Sequence, residues 1–116
     1  MAARIHRVTM FKVPNVENQN KLVEAYKILF KDHKNADGKP YILSMTTGKV
    51  MDDMRTQGWA VVSKAEFANL NDMRYYDEEC PAHAQLKEKA KALVAADASP
   101  PVMTVYFEAA FSSSTQ

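Results

Sequence analysis

The most constraining feature of this 116-residue chain is the order in which its hydrophobic periodicities follow one another. The alternating or β-branched patterns typical of strands occur at residues 5–13, 41–50, 59–67 and 102–109. Apolar residues recur at helical spacing after the first of these segments and again, in two shorter stretches, after the third. Turn-forming residues such as Pro14 and the segment 35–40 separate the elements. The sequence therefore predicts the order β-α-β-β-α-β.

That order is typical of a ferredoxin-like α+β fold, in which a four-stranded antiparallel sheet carries its helices on one face. The length suits one domain over residues 1–116, with a core at about 5–109 and a flexible tail at 110–116. The last strand carries apolar residues on both sides, so the second face of the sheet needs a cover. We therefore expect a homodimer in which two sheets pack face to face into an α+β barrel.

Charge and cysteine content narrow the class of partner. Lys plus Arg number 15 and Asp plus Glu number 14, a balance that argues against nucleic acid or an anionic membrane surface as partner. The chain has no apolar run of 18 residues and begins without the apolar segment of a signal peptide. Its single cysteine, Cys80, has no zinc-type spacing to other ligands. We expect a cytoplasmic protein with no metal and no cofactor.

His83 is the first candidate for a chemical role. It follows Pro81, which suits the first turn of a helix, and it shares a helix face with Leu86 and Ala90. The side chain is therefore predicted to point toward the sheet. A histidine in a first helical turn has a lowered pKa, which favours a neutral proton acceptor. The alternative is a buried, hydrogen-bonded core histidine.

A second histidine and a tyrosine could complete a pocket around His83. His6 shares a strand face with apolar residues and is predicted to border the layer between sheet and helices, as His83 does. The tyrosines that could add a hydroxyl group are Tyr26, Tyr41, Tyr75 and Tyr76. The pattern predicts a pocket with a base, a hydroxyl donor and apolar walls.

The segments IHRVTMFK, GWAVVSKAEF and YYDEECPAHAQL resemble the stress-responsive A/B barrel family, and their sharpest motif is Pro81-Ala82-His83. The resemblance implies a small ferredoxin-like protein that dimerises through its sheet; many such proteins are described as stress-induced. One plant member, olivetolic acid cyclase, folds a linear polyketide into an aromatic acid. By motif matching, His6 and His83 correspond to its two pocket histidines and Tyr76 to a tyrosine on the preceding helix.

The resemblance implies a cofactor-independent, polyketide cyclase-like lyase with a phenolic or polyketide-like ligand. His83 would remove a proton from carbon next to a carbonyl group, and His6 would polarise a second carbonyl. Tyr76 would orient His83 or hold the enolate oxygen. Two alternatives stay open: a non-catalytic, stability-type stress protein with structural histidines, and a cofactor-free monooxygenase.

Overall fold

The computed structural model describes residues 4–113 and has the predicted order of elements. The elements are β1 (Ile5–Lys12), α1 (Val16–Asp32), β2 (Ile42–Lys49), β3 (Trp59–Phe67), α2 (Leu70–Glu78), α3 (Pro81–Leu93) and β4 (Val102–Glu108), with a short 3-10 helix at Met54–Thr56. The ferredoxin-like α+β fold class is thereby confirmed. Residues 114–116 of the predicted flexible tail lie outside the described residues.

The four strands form an antiparallel sheet in the order β2-β3-β1-β4. β1 lies in the interior of the sheet, where Thr9 is opposite Ser63 of β3 on one side and Thr104 of β4 on the other. Successive side chains of a strand point to opposite faces. The alternation along β1 therefore decides which residues meet the helices and which face the open side of the sheet.

One face of the sheet packs under the helices and forms the core. The β1 residues on this face are Ile5, Arg7, Thr9 and Phe11, all of them buried. Leu22 of α1 and Val61 and Phe67 of β3 are fully inaccessible to solvent within the same core. Burial of such side chains contributes about 1.5 to 3 kcal/mol each to the free energy of unfolding.

Side-chain caps fix where the helices begin. The Asn15 side chain accepts a hydrogen bond from the Asn18 backbone at 3.0 Å, and Asn69 caps α2 in the same way. Pro81 is the first residue of α3, where its missing N–H costs nothing. Two residues therefore separate α2 from α3, and His83 lies in the first turn of α3, next to the last turns of α2.

The other face of the sheet is uncovered among the described residues. On β4 it carries Met103, Val105 and Phe107, which are 41%, 54% and 49% exposed. On the neighbouring strand β1 they lie opposite Met10, Val8 and His6, respectively. A contiguous apolar strip of this kind on a sheet is typical of an interaction surface.

Candidate functional site

A cavity of about 380 Å³ lies between α3 and the neighbouring strands β1 and β4. Its walls are mainly apolar, with contributions from Phe11, Leu86, Ala90 and Val102. The polar groups that line it come from Arg7, Thr9, Tyr26, His83, Lys87, Lys91 and Thr104. A mostly apolar cavity with a few convergent polar groups is the usual form of a small-molecule site.

His83 lines this cavity, as predicted from its helix face. Its side chain is buried, and Nδ1 lies 2.8 Å from the backbone oxygen of Tyr76. Because a carbonyl oxygen can only accept, Nδ1 carries the proton of a neutral imidazole. Nε2 is then the nitrogen with a free lone pair, and the hydrogen bonds of residues 4–113 leave it without a partner.

Tyr76 packs against the His83 ring. The two rings are stacked, with centroids 3.8 Å apart and an interplanar angle of 12°. Tyr76 is almost completely buried, and burial raises the pKa of its hydroxyl well above the usual value. It is not among the residues that line the cavity. The ring and the backbone carbonyl of Tyr76 therefore hold the imidazole in place from outside the cavity.

The surroundings of His83 keep its imidazole neutral. Burial lowers the pKa of His83 to about 3, and the positive charges of Arg7 and Lys87 act in the same direction. The hydrogen bond to Tyr76 opposes them only in part. Burial is thus the main cause of the lowered pKa, whereas the sequence suggested the dipole of the helix. At neutral pH the ring is an uncharged proton acceptor.

The prediction that His6 borders the same cavity is wrong. His6 lies on the opposite face of β1, where its ring stacks on Phe107 with centroids 5.1 Å apart. Its Nδ1 is 3.5 Å from a carboxylate oxygen of Glu66. The apolar neighbours Val8 and Met10 suggested a core face, but they belong to the open side of the sheet. The sheet therefore separates His6 from His83.

Arg7 occupies the place in the cavity that the sequence assigned to His6. It lies on the helix-facing side of β1 and is 9% exposed. Nη2 contacts a carboxylate oxygen of Asp77 at 2.8 Å, and Nη1 donates to the Thr9 hydroxyl at 2.8 Å. The guanidinium also lies over the ring of Tyr76, 5.1 Å from its centroid. Nε is buried and has no hydrogen-bond partner in the described part of the chain.

Sequence reasoning missed Arg7 although the signal was present. Arg7 and Thr9 alternate with His6 and Val8, so they share a face with Ile5 and Phe11. A charged residue within a stripe of buried positions is rare unless it is paired. Such a residue indicates either a structural ion pair or a ligand contact.

Tyr26 is the tyrosine, among the four considered, that lines the cavity. Burial raises the pKa of its hydroxyl to about 12, so the group stays protonated and can donate a hydrogen bond. Tyr41 and Tyr75 pack edge to face with each other, with centroids 5.2 Å apart, and do not line the cavity. On the other wall, the hydroxyl groups of Thr9 and Thr104 lie 3.1 Å apart.

Other features of residues 4–113 give less support for a functional site than this cavity does. A larger and more open groove of about 700 Å³ is lined by Trp59 and Met51, among others, but by no histidine or tyrosine. Within residues 4–113, no three His, Cys, Asp or Glu side chains are grouped so as to hold a metal ion. No helix in that range is sufficiently long and apolar to cross a bilayer.

Solved structures that share this fold include a ferredoxin-like protein and a monooxygenase. A dimeric ferredoxin-like protein of unknown function from Jannaschia sp. has a TM-score of 0.72 at 15% identity, and the match covers 91% of this chain and 99% of that one. A Streptomyces coelicolor monooxygenase in complex with nanaomycin D has a TM-score of 0.64 at 22% identity, over 99% of this chain and 94% of that one.

Sequence comparison identifies the family. A fusaristatin A biosynthesis cluster protein of Gibberella zeae is 44% identical over 108 residues, which are 93% of this chain and 75% of that protein. The model of the stress responsive A/B barrel domain matches residues 5–111, which include every strand and helix described above. The chain therefore belongs to the stress-responsive A/B barrel domain family.

Proposed function

We propose that this protein binds an apolar, oxygenated small molecule in the cavity under α3 and that His83 acts there as a general base. The observation that carries the proposal is the state of His83: a neutral imidazole that lines the cavity, with Nδ1 bonded to Tyr76 and Nε2 without a hydrogen-bond partner among residues 4–113. The relative from a biosynthesis cluster supports a role with small molecules. The monooxygenase of the same fold in complex with nanaomycin D adds support for a small-molecule ligand.

The proposed step is removal of a proton from carbon next to a carbonyl group. Nε2 of His83 takes the proton, and the C–H electron pair forms the C=C bond of an enolate while the charge moves to oxygen. The Nδ1 hydrogen bond to the Tyr76 carbonyl stabilises the imidazolium that results. Tyr76 is a positioning residue in this scheme, and His6 has no part in it because it lies across the sheet.

We also propose that the protein is a homodimer through the open sheet face, which would close the α+β barrel. The apolar strip of Met103, Val105 and Phe107 supports this arrangement, because about half of each of these residues is exposed to solvent in a single chain. The dimeric ferredoxin-like neighbour has the same fold. A symmetric interface would bury the strip of both copies at once.

One alternative has an observation in its favour. The close stacking of His83 on Tyr76 is also what a structural histidine in a non-catalytic stability protein would show. This alternative predicts that changing His83 lowers stability and that no small molecule binds under α3.

Ligand binding separates the two accounts. We expect phenolic or polyketide-like compounds in a thermal-shift screen to stabilise wild type, by about 2.7 kcal/mol at roughly 100 times Kd. Val102→Trp places a large ring at the cavity wall and should reduce this shift, whereas Tyr106→Trp, on the same strand outside the cavity, should keep it. Absence of any ligand-induced shift in wild type would sink the proposal.

His83→Ala should lower turnover of an enolisable ligand about 10²- to 10⁴-fold without unfolding the protein.

A further inference from the structure

We infer that Arg7 binds an anionic oxygen of the ligand, so that the cavity selects compounds carrying an enolate, phenolate or carboxylate group. The inference rests on the proposed small-molecule function and names the chemistry of its ligand. Neither the family match nor the resemblance assigns a role to Arg7.

The hydrogen bonds of Arg7 leave one N–H of its guanidinium without a partner within residues 4–113. Asp77 contacts Nη2 and Thr9 accepts from Nη1, whereas Nε is buried and none of residues 4–113 accepts from it. The side chain is nine-tenths buried and lines the cavity. An unsatisfied buried N–H of a charged group is costly, and a ligand oxygen would remove that cost.

The charges around the cavity favour an anion. The charged residues that line it are Arg7, Lys87 and Lys91, and no carboxylate side chain of residues 4–113 lines it. Asp77 balances Arg7 from outside the cavity wall, and Glu88 is 3.2 Å from Lys91. Lys87 donates to the backbone oxygen of Asp77, and none of the ion pairs within residues 4–113 includes it. The interior therefore carries a positive potential toward a bound ligand.

Arg7 also complements the proposed proton transfer. Its positive charge lowers the pKa of His83. A ligand oxygen that bears negative charge beside Arg7 would offset this effect and make His83 a stronger base. Tyr26, whose hydroxyl stays protonated, also lines the cavity and is a second hydrogen-bond donor there. Together the two groups resemble the donors of an oxyanion-binding site.

The test compares 2-naphthoate with its neutral analogue 2-naphthamide, which has nearly the same shape. By isothermal titration, wild type should bind the carboxylate at least about tenfold more tightly than the amide. Arg7→Gln should weaken naphthoate binding about 10- to 100-fold and change naphthamide binding less than about threefold. Combining Arg7→Gln with Asp77→Asn removes both members of the ion pair, so the test stands even if the single variant fails to fold.

Controls identify the source of any preference. Lys87→Gln removes another positive charge that lines the cavity, and Lys89→Gln removes one from the same helix that does not line it. Val102→Trp shows whether the compounds bind in the cavity. Loss of the preference in the Arg7 variants, with both compounds weakened by Val102→Trp, supports the inference. Equal binding of the two compounds, or a preference lost only in Lys87→Gln, overturns it and leaves the proposed function intact. If neither compound binds wild type, the inference and the proposed cavity function both fail.

Discussion

Lowering the pH below about 6.5 is expected to destabilise wild type by up to about 1.4 kcal/mol per pH unit more than His83→Gln protein. The unfolded chain carries a histidine with the ordinary pKa of 6.5, whereas folding lowers the pKa of His83 to about 3. Between these values the unfolded state binds a proton that the folded state does not bind. Stability from this residue is therefore fully present above about pH 6.5 and is lost as the pH falls toward 3.

Urea unfolding at several pH values between about 7 and 4.5 measures this effect. Other groups titrate in the same range, so the informative quantity is the difference between wild type and His83→Gln at each pH. Glutamine keeps an amide that can donate to the Tyr76 carbonyl but does not titrate. If the two stability curves stay parallel down to about pH 4.5, His83 is not held neutral by burial.

Val105→Arg is expected to convert the proposed dimer into a monomer. Val105 is 54% exposed on the open face of β4, in the centre of the apolar strip. In a symmetric dimer the substitution would place two unpaired cations in the interface, and each buried charge without a partner costs several kcal/mol. Sedimentation velocity over a range of protein concentrations measures the change.

Tyr106→Arg is the matched control for this substitution. Tyr106 is also 54% exposed, but it is the neighbouring residue of β4 and points to the other side of the sheet. We expect it to leave the dimer intact. A Val105→Arg protein that keeps twice the mass of one chain, or a wild type that is monomeric at all concentrations, would contradict the proposed interface.

The fold could be predicted from the sequence because its signals are local. Each strand and helix has its own hydrophobic period, and Pro14, Asn69 and Pro81 mark boundaries that the structure reproduces. His83 could be placed in the same way, since its helix register is set by Leu86 and Ala90. Local periodicity is sufficient when the question is which face of one element a residue occupies.

The arrangement around His83 could not be predicted so fully. Alternation along β1 correctly places His6 and Arg7 on opposite faces of the sheet, but it does not indicate which face packs against the helices. His6 lies among apolar residues because its face is the uncovered, apolar one, whereas the buried face holds Arg7 paired with Asp77 of α2. That pair joins residues 70 positions apart, and no local pattern reports it.

The most direct test of the central claim is a long-range ¹H–¹⁵N NMR titration of the His83 imidazole, assigned with His83→Gln protein. The account predicts a neutral ring with its proton on Nδ1, unchanged from about pH 8 to about pH 4.5, because burial lowers the pKa to about 3. A ring that titrates near pH 6.5, or one whose proton is on Nε2, would contradict the assignment of His83 as the neutral proton acceptor of this cavity.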